Sequence, residues 1–238
     1  MIQLFSEITL NDIGKCWWKW ASRGEMTQAG FQVPPGFVLT SEAYGQERSI
    51  WEMATLDAFD SLWCKFVAVR SSGTKEDGIE DSFAGQFETY LYITRDQLIE
   101  KIIECHNSLN SPRIMTYCQS KNIDRNQIKV AVVIQKMINS DVAGVGFTVN
   151  PITHNTDEVM LEAWLGIGEA VVSGMITPDN YIINKKTGFI EKNISTQNLK
   201  ITLNIENGGT REEKIEDALG KKQKLSDEHI REITELAK

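Results

Sequence analysis

Apolar positions along this chain fall into two rhythms. Short β-branched or alternating runs predict strands at 37–40, 65–69, 130–137, 158–164, 181–184, 189–194 and 199–203, since a period of two lines one face of a sheet. Residues 50–62 predict a helix. From 96 to 119 the apolar positions are Leu98, Ile99, Ile102 and Ile103, then Leu109, Ile114, Met115 and Cys118. That spacing predicts one or two amphipathic helices, broken near Ser111-Pro112. Met1 to Leu10 reads as a short strand and turn. Pro34-Pro35-Gly36 marks a turn before the strand at 37, after which Thr40 or Ser41 can cap a short helix. Lys185-Lys186-Thr187-Gly188 is the turn of a hairpin, Asn207-Gly208-Gly209-Thr210 another turn, and the charged piece from there to Gln223 a solvated excursion. Leu225-Ser226-Asp227 then caps a final helix over 228–238.

Bulk properties narrow the function classes. With 238 residues, 41% hydrophobic and 24% charged, the chain can build one large domain or two small lobes with a real core. A net charge of -8 without a basic stripe argues against broad nucleic-acid binding. It does not argue against a phosphate ligand, because such sites use a few local cations and backbone donors. Cys16, Cys64, Cys105 and Cys118 lack C-x-x-C spacing, and the expected state is reduced thiols in a cytoplasmic protein. His106, His154 and His229 have no metal-ligand spacing. No apolar run reaches the roughly 18 residues of a membrane span.

The stretch VAVRSSGTKEDGIEDSFAGQFETYLYI, residues 67–93, carries the candidate chemistry. A buried strand delivers Arg70-Ser71-Ser72-Gly73-Thr74 at its end. The guanidinium is a planar fork of donors suited to phosphate oxygens, and the hydroxyls add neutral donors. An acidic link follows, and then Gly85 interrupts a strand-like run where backbone N–H groups could approach a ligand. On residue types alone, a polar turn between two strands explains the stretch equally well.

Ala68-Val69-Arg70-Ser71-Ser72, the acidic gap and Ser82-Phe83-Ala84-Gly85-Gln86-Phe87-Glu88-Thr89-Tyr90-Leu91 together resemble the nucleotide-binding domain of the phosphoenolpyruvate synthase and pyruvate phosphate dikinase family, which includes rifampicin phosphotransferase. The resemblance implies an α+β, ATP-grasp-like fold with two lobes, mixed and largely antiparallel sheets and flanking helices. It implies an N-terminal lobe over 1–137 and a C-terminal lobe over 138–238. ATP is the implied ligand, with Arg70 and Ser71 at its phosphates and Gly85, Gln86 and Thr89 in a hairpin folded over them.

The same resemblance aligns Ala29-Gly30-Phe31-Gln32-Val33-Pro34-Pro35-Gly36-Phe37 with a family run and places Lys19 on the family's phosphate-binding lysine. Three glycines around that lysine are replaced here by Trp17, Trp18 and Trp20. Read from the residues, the tryptophans form an aromatic helix face in the core, with Lys19 snorkelling or stacked on a ring. Read by resemblance, they crowd the phosphate loop, so that glycines restored at 17, 18 and 20 are expected to tighten binding. A third reading makes them a solvent-exposed interaction surface. Only 34 residues separate Pro35 from Arg70, fewer than the family's helical passage.

Further along, VAVVIQKM at 130–137 matches the family's interlobe hinge, which assigns Gln135, Met137 and Ile138 to the adenine face; without the family context it is a central strand with a polar end. Residues 141–151 match the family's S-G-V-x-F-T-x-N-P run. The segment from Glu162 to Gly174, followed by Thr177-Pro178-Asp179-Asn180-Tyr181, matches another, making Glu162 and Glu169 carboxylates toward the nucleotide or its Mg²⁺, with Glu169 as the metal ligand. Mg²⁺ needs only one or two protein carboxylates besides phosphates; a solvated glutamate after a glycine turn is the other reading of Glu169. The family's later D-I-E-W-A and Q-S-R-P motifs, its phosphohistidine domain and its pyruvate-binding domain do not occur in this chain, which is therefore expected to be a truncated piece. Two functions are expected: the ATP-binding domain of a dikinase-type phosphotransferase, with Arg70 and Lys19 acting on the phosphates, or a degenerate, non-catalytic nucleotide-binding or scaffold module.

Overall fold

The computed structural model describes residues 1–12, 18–73, 88–121, 124, 128–172, 174–206 and 208–238. These form two compact units, Met1–Ile138 and Asn139–Lys238. The first is one sheet with flanking helices and the second two sheets with flanking helices, and every ladder among the described residues is antiparallel. The fold class is α+β, two-lobed and consistent with an ATP-grasp-like arrangement.

The first unit holds a five-stranded sheet in the order β1-β2-β5-β3-β4. Its strands are β1 (Ile2–Leu4), β2 (Gly36–Leu39), β3 (Val67–Gly73), β4 (Thr89–Ile93) and β5 (Val130–Lys136). Alternation gives this sheet two apolar faces. Phe37, Val67, Val69, Val132 and Ile134 meet α2 (Arg48–Ser61) and α3 (Arg95–Asn107) through Trp51, Phe59, Leu98 and Ile102. Val38, Ala131 and Val133 meet Phe5, Ile8, Trp20 and Ala21, the last two from α1 (Trp18–Gln28). Gly24 lets α1 sit hard against the chain, since a Cβ there would lie 2.2 Å from the Ile8 carbonyl oxygen. The expected break after α3 is present: Ser111 accepts a hydrogen bond from the Ile114 N–H at 3.3 Å and starts α4 (Pro112–Ser120).

The second unit has a four-stranded sheet, β6 (Val142–Phe147), β7 (Glu158–Leu165), β8 (Asp179–Asn184) and β9 (Ile190–Asn193), paired in that order. A short α5 (Glu169–Val172) follows β7. Val159, Leu161, Ala163, Tyr181 and Ile183 share a core with Ile230 of α7 (Asp227–Leu236), which Ser226 caps by accepting from the His229 N–H at 3.1 Å. Gly188, with φ +69°, makes the predicted hairpin turn.

Two expectations change. The charged piece after Asn207 is not wholly a solvated excursion: Thr210–Lys214 forms β11, paired with β10 (Leu199–Leu203), and a short α6 (Asp217–Gly220) follows it. Its charges suit an exposed hairpin because they pair across it, Lys200 lying opposite Glu213 with Nζ 3.1 Å from the carboxylate. Thr40 precedes a short 3-10 turn over Ser41–Gly45, yet its side chain makes no capping bond.

Candidate functional site

β3 sorts its polar residues by alternation. Arg70 pairs with Val133 of β5 and Thr89 of β4, and so lies on the α1 side of the sheet. A register shift in the β3–β4 ladder inserts an extra β4 residue where buried Tyr92 adopts φ +55°, and this brings Thr89 rather than Tyr90 beside Arg70. Gln135, paired with Ala68, shares that side and donates from Nε2 to the Pro34 carbonyl at 3.0 Å. Ser71 does not: its hydroxyl and its N–H both donate to the Glu88 carbonyl, at 3.0 and 3.1 Å, tying β3 to the start of β4 on the α3 side.

The α1 side collects unsatisfied polar atoms. Arg70 Nε, Ser72 Oγ and Trp20 Nε1 are buried without a hydrogen-bond partner among the described residues, as are Gln3 Oε1 and Thr40 Oγ1. Burial pulls the Arg70 guanidinium below its ordinary pKa, and no carboxylate among the described residues offsets that cost. Buried polar groups are nearly always partnered, so a half-buried guanidinium with an orphaned Nε is a fitting seat for an anion such as a phosphate.

Trp20 is 1% exposed. It stacks on Phe5 with ring centroids 5.6 Å apart, and the Arg23 guanidinium lies over the ring, 4.5 Å from its centroid. The solvent-exposed aromatic surface is therefore overturned at this position, because the ring fills the gap between α1 and the sheet. Lys19 has its backbone in the first turn of α1, but its side chain, like Trp17, Gly85 and Gln86, lies outside the described residues. Met137 is half-buried and its N–H donates to the Phe66 carbonyl at 3.0 Å, which extends the β5–β3 ladder by one step; Ile138 is 51% exposed.

In the second unit Glu162 lies opposite Val145 and Asn180, on the sheet face turned away from α7. Glu169 is exposed at the start of α5, beside a cavity of about 290 Å³ that Ile201, Thr210 and Arg211 also line. The turn between the two glutamates is fixed from several sides. Gly166 has φ +88°, and a Cβ there would lie 2.5 Å from the Ile201 carbonyl oxygen, so glycine is required. Gln197, 1% exposed, accepts from the Leu165 N–H at 2.9 Å and donates to the Leu165 and Leu199 carbonyls at 2.8 and 2.9 Å. Trp164 Nε1 donates to the Ile167 carbonyl at 2.9 Å. Among the described residues no group of three His, Cys, Asp or Glu side chains is placed to hold a metal ion.

Sequence reasoning assigned no role to Asp179, Gln197 or Lys224. Asp179 is fully buried and accepts from Tyr181 Oη at 2.8 Å, the Ser195 N–H at 2.9 Å, and Lys224 through both its N–H and Nζ, at 2.9 and 3.0 Å. The sequence signals at Asp179 were an acid opening an apolar strand and its place in the matched run at 177–181, neither of which names a partner 45 residues away.

An α+β, two-lobed domain with an anion-ready arginine on its first sheet is the class these observations define. The family model described as pyruvate phosphate dikinase, AMP/ATP-binding domain, matches residues 52–238, and the chain belongs to that family. It is 35% identical over 99% of its length to a probable phosphoenolpyruvate synthase of Methanocaldococcus jannaschii, of which it covers 24%. It is 33% identical over 99% of its length to the phosphoenolpyruvate synthase of Pyrococcus furiosus, covering 39% of that protein. A probable phosphoenolpyruvate synthase of Archaeoglobus fulgidus is 38% identical over 72% of this chain. The chain thus spans well under half the length of these relatives. The first two alignments run over 285 and 321 positions against 238 residues here, so the relatives carry insertions that this chain lacks.

Proposed function

We propose that this chain binds ATP as the nucleotide domain of a phosphoenolpyruvate synthase-like phosphotransferase, and presents the phosphates for transfer to a histidine on a domain outside it. The observation that carries the reading is Arg70: a desolvated guanidinium on an interior strand, its Nε unpaired among the described residues, in a chain of an AMP/ATP-binding family. Positioning and charge neutralisation are what phosphoryl transfer asks of a protein. Arg70 neutralises phosphate oxygens, with Thr89 beside it and Lys19 as a second cation. By the family resemblance Gln135, Met137 and Ile138 meet adenine, Gly85 and Gln86 contribute to the phosphate site, and Glu162 and Glu169 are the carboxylates assigned to the nucleotide or its metal. Mg²⁺, with Glu169 among its ligands, would supply further neutralisation of phosphate charge. The acceptor domains reside on a longer or a separate polypeptide in the cytoplasm; no helix among the described residues is long and apolar enough to cross a membrane.

Calorimetric titration of ATP into the chain and into Arg70→Ala tests this. Loss of about 10- to 100-fold in affinity, the scale of hydrogen bonds to a charged group, supports the reading, and equal affinities overturn it. A second reading, a nucleotide-binding module without catalysis, is favoured by the burial of Trp20 where the family resemblance expects glycine. Phosphate transfer from ATP to an added phosphohistidine domain separates the two.

A further inference from the structure

We infer that Ser72, and not its neighbour Ser71, is the strand hydroxyl that joins Arg70 in holding the polyphosphate of a nucleoside triphosphate. The inference rests on the nucleotide reading of Arg70 and assigns a further ligand contact within that site.

Three adjacent β3 residues are polar, and sequence alone does not separate the two serines. The sheet does. Ser71 points to the α3 side and has its hydroxyl committed to the Glu88 carbonyl at 3.0 Å. Ser72 pairs with Ala131 as Arg70 pairs with Val133, which places Ser72 and Arg70 on one side, about 6.6 Å apart along the strand. Ser72 is 1% exposed and its Oγ has no partner among the described residues.

A buried hydroxyl left unpaired is a standing cost to the fold. Here it shares one side of the strand with a buried guanidinium Nε in the same condition, and the residue opposite it, Ala131, has no polar side chain to pair with it. A single neutral acceptor could satisfy one of these donors. An anion with oxygens spread along its length satisfies both, and this is the shape of a polyphosphate. The two donors then act as one edge of the site, the guanidinium supplying charge and the hydroxyl fixing how far along the strand the anion lies.

The test is calorimetry with ATP and with inorganic tripolyphosphate on the whole chain, comparing Ser72→Ala, Ser71→Ala and Arg70→Ala, with melting curves taken without ligand. Ser72→Ala is expected to weaken both ligands by a similar factor of about 3–10, the worth of one neutral hydrogen bond. It should also keep or raise the ligand-free melting temperature, because an unpaired group is removed. Ser71→Ala is expected to lower that temperature by about 2–4 °C and to bind both ligands as before. Should Ser72→Ala fold poorly, Ser72→Cys, slightly larger than serine and a weaker donor, predicts the same direction. Unchanged affinity in the Ser72 variants, or weakened ATP with normal tripolyphosphate, overturns the assignment. If Arg70→Ala binds both ligands normally, the nucleotide reading of this strand fails instead.

Discussion

Lys224 Nζ lies 3.0 Å from Asp179 Oδ1, with the two side chains 1% and 0% exposed. The pair joins the head of β8 to the turn before α7, and nothing about it is left unsatisfied: Nζ also donates to the Ser195 and Gly220 carbonyls, while Asp179 takes a backbone N–H from each of Ser195 and Lys224. A buried ion pair adds little over an apolar one, but stranding either member is costly.

Removing one partner should therefore be severe. Lys224→Met or Asp179→Asn is expected to cost about 3–5 kcal/mol in urea unfolding. The double variant should lose clearly less than the sum of the two, since neither charge is then left alone. Additive losses would show that the two groups act independently.

Gln197 serves as a strut in place of a strand. Gln197→Ala leaves the N–H and C=O of Leu165 unpaired, and should cost about 1–3 kcal/mol for each buried group left unsatisfied. Hydrogen exchange at Leu165, Gly166 and Ile167 is expected to accelerate, with the first unit unaffected. Gln197→Glu, which buries a carboxylate against the Leu165 and Leu199 carbonyl oxygens, should cost at least as much as Ala at neutral pH and less as the pH falls and the carboxyl protonates.

Position 20 does not behave as an added obstruction over a phosphate loop. Trp20→Gly removes a ring stacked on Phe5 in a core and sets glycine inside α1. Large aromatic truncations cost about 3–5 kcal/mol, and a helical glycine about 1 kcal/mol more. Thermal melting is expected to show the loss before any gain in nucleotide affinity can be read, so glycine restoration is informative only at 17 and 18.

His106 stacks on Tyr44 with ring centroids 3.7 Å apart, and burial lowers its pKa from the ordinary 6.5. Tyr44 in turn meets Trp51 and lies near Cys105; burial pushes the Cys105 thiol up to about 12 and raises the Tyr44 phenol, so neither titrates near neutrality. Because the folded state holds the imidazole neutral, the unfolded chain binds more protons once pH falls below about 6.5. Stability should thus decline on acidification from that pH and level off below the folded pKa. His106→Gln should flatten this part of the urea-midpoint profile between pH 7 and 5; an unaltered slope would assign it to other groups.

Much of this was legible in the chain itself. Period-two runs gave β2, β3, β5, β7, β8, β9 and β10, and the Ser111-Pro112 and Ser226 signals placed helix starts, because these are local choices of backbone and neighbouring side chain. The long match around Arg70 pointed to the family. The charged β11 escaped notice because its stability comes from pairing with β10 rather than from burial of its own residues.

Sequence by itself settled most of the segments that extend or coil, and that an arginine follows a buried apolar run, for those depend on residue types a few positions apart. The expected strand end at Arg70 is corrected by the ladder with β5, which carries β3 on to Gly73 and leaves Arg70 mid-strand. Tertiary structure decided which side each of those residues faces. One extra residue in β4 puts Thr89 beside Arg70, and pairing with β5 sends Ser71 and Ser72 to opposite sides. A lysine 45 positions away is brought to neutralise Asp179. Register and long-range contact are properties of the assembled sheet, where a shift of one residue turns every side chain over.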